Sequence, residues 1–149
     1  MYNHILISTD GSELAKKGVD HGLALAKILG AKVTIITVTE PFPAYASAVG
    51  DSWITGAAEI AAHDASRKEF AVNILKEAKA AADRIGVAAE TLHVPNALPA
   101  EAIIEAAGSR GCSLIAMASH GRRGLGRLLL GSQTSEVLTH STVPVLVVR

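Results

Sequence analysis

The stretch SLIAMASHGRRGLGRLLLGSQTSE, from Ser113 to Glu136, together with VPVLVV, from Val143 to Val148, decides how this chain is read. Ser113–Ala118 is an apolar run of strand length, Ser119–Leu130 is a basic, glycine-rich loop, and the residues from Gly131 onward open a helix that leads to a last strand. That order sets backbone N–H groups and cationic side chains beside the carboxyl end of a buried strand, where an anion, above all a nucleotide polyphosphate, is expected to fit. The loop holds Arg122, Arg123 and Arg127 and no acid, in a chain of zero formal net charge. Gly121, Gly124, Gly126 and Gly131 permit the positive-φ or close-approach geometry that lets amides converge on phosphate oxygens. Gly131-Ser132-Gln133-Thr134 then offers three N–H groups and two hydroxyls at the positive end of the helix dipole. The same composition also suits a solvated loop with a serine cap.

Working outward, four more runs rich in Val, Ile and Leu complete or flank this pattern: HILIST from His4, KVTIITV from Lys32, AAETLHV from Ala88 and the VPVLVV already quoted. All but AAETLHV are nearly continuous apolar runs, as strands buried on both faces of a parallel sheet require. AAETLHV is more polar, which suits an edge. Between the runs lie helical patterns. Leu14, Gly18, Gly22, Leu25, Ala26 and Leu29 share one face, with Ser12 as N-cap and Gly30 as stop, and the small Gly18 and Gly22 let that helix sit close to a sheet. PFPAYASAVGDSWITG, from Pro41, has no clear period; after it Phe70, Ile74, Ala78, Ala82 and Ile85 step by four or three until Gly86. A third helix opens with Pro99 at its first position and runs to Gly108 or Gly111, and a fourth spans Ser132–His140. Helices alternating with buried strands predict an α/β, doubly wound, Rossmann-like fold: a five-stranded parallel sheet with helices on both faces, one domain over residues 1–149.

Bulk properties narrow the function classes. The 49% hydrophobic content and 19% charged residues supply a core, while 14 basic against 14 acidic residues give no overall pull toward nucleic acid or an anionic membrane. Cys112 is the only cysteine, so no intramolecular disulfide or CxxC pair can form, and a packing role in a reducing interior is expected. Without an apolar stretch of about 18 residues or a signal-like N-terminus, the expectation is a cytoplasmic protein with no membrane partner.

Ligands of open α/β sheets bind where strand order reverses, at the carboxyl ends of the strands. If the first and fourth strands are neighbours, Ser8-Thr9-Asp10-Gly11-Ser12 and Ser119-His120-Gly121 face one crevice. Asp10 is placed to accept from a ligand amine or hydroxyl, or else only to cap the first helix with Ser12. No GxxxxGK[ST] is present, and Gly124-Leu125-Gly126 neither completes a GxGxxG nor follows the first strand, so Walker and dinucleotide motifs are excluded. The six histidines form no i,i+4 pair and no HExxH, which leaves no metal site from protein side chains to argue. His120 alone lies near the crevice. Paired carboxylates, a GxSxG elbow and a Cys–His pair are all missing, so no catalytic residue is assigned and any hydrolysis of a nucleotide is expected to be slow.

HILISTDGSELA, TVTEP, LPAEAIIEAA and SLIAMASHGRRGLGRLLLGSQTSEVLTHSTVPVLVV together resemble the universal stress proteins of the UspA superfamily, across essentially the whole chain. ATP-binding members carry G-x2-G-x9-G-[ST]; here the second glycine is Gly121, the third Gly131, the hydroxyl Ser132, and the first position is Ala118 instead of glycine. The resemblance implies that Asp10 faces adenine or ribose with Ser8 and Thr9 beside it, that Val38 and Met117 lie by the base, and that Gly131, Ser132, Gln133 and Thr134 hold phosphates. It implies Mg²⁺ or Mn²⁺ carried by those phosphates, and a homodimer formed through the last strand, Val143–Val148. Pro144, lacking a donor, suits an edge there. Any of the three loop arginines could reach a terminal phosphate, or none. Three functions follow as alternatives: an ATP-binding stress-response dimer with a regulatory or signalling role; a dimer that binds no nucleotide and serves as an interaction module, phosphorylated on Ser or Thr, for which Ala118 speaks; and a slow ATPase.

Overall fold

A computed structural model describes residues 1–43, 56–122 and 129–149. Among them run β1 (His4–Ser8), α1 (Glu13–Leu29), β2 (Lys32–Thr39), α2 (Ala57–Ile85), β3 (Ala89–Pro95), α3 (Pro99–Ser109), β4 (Leu114–Ala118), α4 (Ser132–His140) and β5 (Val145–Val148). The strands form one parallel sheet in the order β3-β2-β1-β4-β5. The polar third strand is thus an edge, as its composition suggested, and β1 and β4 are neighbours. Strand order reverses between them.

The continuous apolar runs are explained by burial on both faces, because alternate residues of a strand point to opposite sides. Ile5, Ile7, Val33, Ile35, Leu114 and Ala116 pack with α1 and α2, whereas Leu6, Ile36, Ile115 and Met117 pack with α3 and Val137 of α4. Cys112 joins the second of these layers as a buried packing residue.

Local chemistry sets the helix ends. The Ser12 hydroxyl accepts from the Ala15 N–H at 3.2 Å, and α1 stops at Gly30 with φ +63°, a left-handed conformation that glycine adopts without steric cost. Glycine also decides how closely α1 approaches the sheet. A Cβ at Gly18 would lie 3.3 Å from the Ala118 nitrogen, and one at Gly22 would lie 2.7 Å from Ile7 Cδ1. The helix therefore rests directly on β1 and β4, and its N-terminus is fixed at the place where those two strands end.

The last strand is shorter than the apolar run that signals it. Ile115 N–H donates to the Pro144 carbonyl at 2.9 Å, so the main chain of Pro144 faces β4 and not the open side. Its missing N–H ends the ladder there, which is why the strand begins at Val145. Proline thus marks the start of β5, while the edge position of the strand comes from the sheet order.

Candidate functional site

Above the carboxyl ends of β1, β2 and β4 the chain leaves a cleft of about 390 Å³. That volume is ordinary for a small-molecule site. Of the residues that the sequence nominated for the crevice, those lining it are Ser8, Thr9 and Asp10 after β1, Val38 on β2, Met117 and Ala118 on β4, His120, Gly121 and Arg122 beyond it, and Gly131, Ser132, Gln133 and Thr134 at the start of α4, whereas Gly11, Ser12 and Ser119 do not. Arg123 and Arg127, with Gly124 and Gly126, lie outside the described residues.

Asp10 ties the two arms of the crevice together. One carboxylate oxygen accepts from the Ser12 N–H at 3.0 Å and the other from the Arg122 N–H at 2.9 Å, while the Asp10 carbonyl accepts from Arg122 Nε at 3.1 Å. Asp10 shapes the turn into α1 and also lines the cleft. Gly121 makes the junction possible. A Cβ there would stand 2.5 Å from Asp10 Oδ2.

On the far arm, the Gly131 N–H donates to the Ser119 carbonyl at 2.8 Å, and the Ser119 N–H donates to the Val148 carbonyl at 2.7 Å. A Cβ at Gly131 would lie 3.0 Å from the His120 Cα, so this glycine too is required for space, its φ being −61°. No side chain caps α4, and helix geometry leaves the first-turn N–H groups without intrahelical partners. The cleft receives them. Two side chains expected to help there are instead spent on the frame. The buried Thr134 hydroxyl donates to the Ala118 carbonyl at 3.0 Å, and Gln133 Oε1 accepts from the Ala100 N–H at 2.9 Å, where it serves the first turn of α3. Ser132 remains as the hydroxyl at the helix start.

The alanine at the first glycine position causes no backbone strain. Among the described residues only Asn96 combines a side chain with positive φ, so the conformation at Ala118 is one that alanine adopts freely. Strand alternation puts its methyl on the side of Ala116, toward α1, where Gly18 leaves room.

Several lining residues were not assigned to the site from the sequence. Thr37 and Glu40 extend the β2 wall, Pro99 and Ile103 form the α3 wall, and Arg67 and Phe70 come from α2. Phe70 lies on the apolar stripe of its helix, about midway along α2, and lines the cleft. Among the described residues no group of three or more His, Cys, Asp or Glu is placed to hold a metal ion, and no helix is long and apolar enough to cross a membrane.

The model of the universal stress protein family matches residues 1–149. The chain belongs to the universal stress protein family. It is 36% identical to the universal stress protein YxiE of Bacillus subtilis, over the full length of both chains. Among solved structures, that of protein MJ0577 superimposes with a TM-score of 0.82 at 29% identity, covering 99% of this chain and 96% of the other. A universal stress protein in complex with cAMP superimposes with a TM-score of 0.73 at 25% identity, covering 99% of this chain and 97% of the other. The fold is that of the family.

Proposed function

We propose that this universal stress protein binds an adenine nucleotide, ATP, in the cleft at the β1–β4 switch point, and acts in the stress response as a regulatory dimer. The observation that carries this reading is the meeting, in one cavity, of the Asp10 carboxylate, the His120–Gly121 turn and the uncapped N-terminus of α4. Asp10 has acceptor capacity left after its two N–H bonds, since a carboxylate oxygen carries two lone pairs, and can take a ribose hydroxyl or adenine amine. The amides of Ser132 and Gln133 and the Ser132 hydroxyl would receive phosphate oxygens with the help of the helix dipole. A divalent cation would be held by the phosphates, because no protein cluster among the described residues is built for it. A relative of this family is complexed with cAMP, which supports an adenine ligand without fixing the number of phosphates.

The alternative, an interaction module without nucleotide, is favoured by Ala118, which stands at the first glycine position of the motif and lines the cleft. Calorimetric titration with ATP and Mg²⁺ separates the two. Saturable binding by the wild-type chain, changed less than about threefold (under about 0.7 kcal/mol) by Ala118→Gly, is the expected result. No heat at millimolar ATP, restored by Ala118→Gly, would mean that the alanine has closed the site.

A further inference from the structure

Phe70 gathers two positive charges on the α2 side of the cleft. The Arg67 guanidinium carbon lies 5.8 Å from the centre of its ring and the Arg122 guanidinium carbon 4.5 Å from it. All three residues line the cleft. Stacking on an aromatic face holds a guanidinium in place but leaves its N–H donors pointing elsewhere. Arg122 uses Nε on the Asp10 carbonyl, and Arg67 Nε is buried without any hydrogen-bond partner. Among the described residues no carboxylate forms an ion pair with either guanidinium.

This arrangement is costly in the free chain. Like charges around one ring repel, and an arginine cannot relieve the repulsion by giving up its proton. A buried, unpaired donor adds the desolvation of a polar group to that cost. A phosphate in the cleft, which both residues line, would oppose their charge, and its oxygens match guanidinium geometry.

We infer that Arg67 and Arg122, gathered on the Phe70 ring, form a second anion-binding element of the cleft, supplied from the α2 side and taking a phosphate group of the bound nucleotide; the inference rests on the adenine-nucleotide reading above. The first element is the N-terminus of α4, which uses backbone amides. The second uses side chains, so it can be removed by substitution without disturbing the helix start.

The test measures ATP affinity by calorimetry at several salt concentrations for the wild type, Arg67→Met and Arg67→Lys. Arg67→Met is expected to bind ATP about tenfold more weakly, as loss of one charge-assisted bond implies, and with a shallower salt dependence. Arg67→Lys keeps the charge but loses the fork, and is expected to fall between the two with the wild-type salt dependence. The ligand-free melting temperature of Arg67→Met should equal or exceed that of the wild type, because an unpaired donor has been removed. Unchanged ATP affinity in Arg67→Met overturns the inference while leaving ATP binding intact, and so does weaker binding with an unaltered salt dependence, which would mark a packing role. Absence of ATP binding in the wild type overturns the nucleotide reading and the inference with it.

Discussion

At the scale of single residues, the site depends on what is missing from its glycines. Gly121 is needed because Asp10 Oδ2 occupies the space where a Cβ would be, at 2.5 Å, and Asp10 cannot move without releasing the Ser12 and Arg122 amides. Gly121→Ala is therefore expected to lower folding stability by about 1–3 kcal/mol, the range for overpacking a fixed site, and to weaken nucleotide binding in parallel. Urea denaturation and calorimetry on the same protein check it; a variant of wild-type stability would show that the two arms of the crevice are not held by Asp10. These residues were legible in the sequence because turn-forming, polar and small residues interrupt apolar runs at Asp10, Gly121 and Gly131. Arg67 and Phe70 were not. Their role depends on how α2 is set against the cleft, a tertiary fact that helical periodicity does not encode. Thr134 and Gln133 were legible as residues of the helix start, yet their side chains turned to the frame because a buried hydroxyl and a helix N-terminus both needed partners.

At the scale of elements, apolar patterning was sufficient for strand number, helix number and the polar edge, since each reports which faces are buried. Strand ends were less legible, because they depend on single hydrogen bonds such as that between Ile115 and Pro144. The edge strand β3 also carries a titratable group in a constrained place. His93 Nε2 lies 2.8 Å from the Thr39 hydroxyl of β2, and burial, assisted by the charge of Lys68, lowers the His93 pKa from its usual 6.5. The native state then binds the proton less readily than the unfolded chain. Where the unfolded chain binds more protons, stability rises with pH. The contribution of a neutral His93 is thus fully present above pH 6.5 and is lost as the pH falls through the lower native pKa. His93→Gln is expected to remove this component, so that the stability difference between wild type and variant shifts in favour of the variant from pH 8 to pH 5. Denaturant titrations across that range measure it, and a pH-independent difference would place the imidazole outside the β2–β3 pairing.

At the scale of the whole molecule, one sheet does two jobs on separate groups of atoms. Its carboxyl end supplies the cleft, and its β5 side supplies an edge whose main chain is not paired with β4. The hydrogen bonds of Ile115 to the Pro144 carbonyl and of Ser119 to the Val148 carbonyl fix the parity of the strand. Residues 144, 146 and 148 direct their main-chain groups to β4, so Val145 and Val147 direct theirs outward, where a second copy of the chain can pair with them. The proposed dimer would then use backbone groups that the fold of one chain does not need. Proline tests this without opening the β4 ladder, because it removes one outward N–H and edge strands tolerate it. Val147→Pro is expected to keep the fold, judged by circular dichroism, and to convert a particle of twice the chain mass into a monomer in sedimentation equilibrium. A Val147→Pro dimer as tight as the wild type would move the interface elsewhere. The Ser119 N–H that pairs with Val148 belongs to the same residue whose carbonyl accepts from Gly131. The proposed dimer edge and the start of α4, where phosphate is proposed to bind, are consequently separated by one residue, so Val147→Pro should also weaken ATP binding if occupancy of the cleft and pairing of β5 are coupled, and by the same factor that ATP strengthens the dimer.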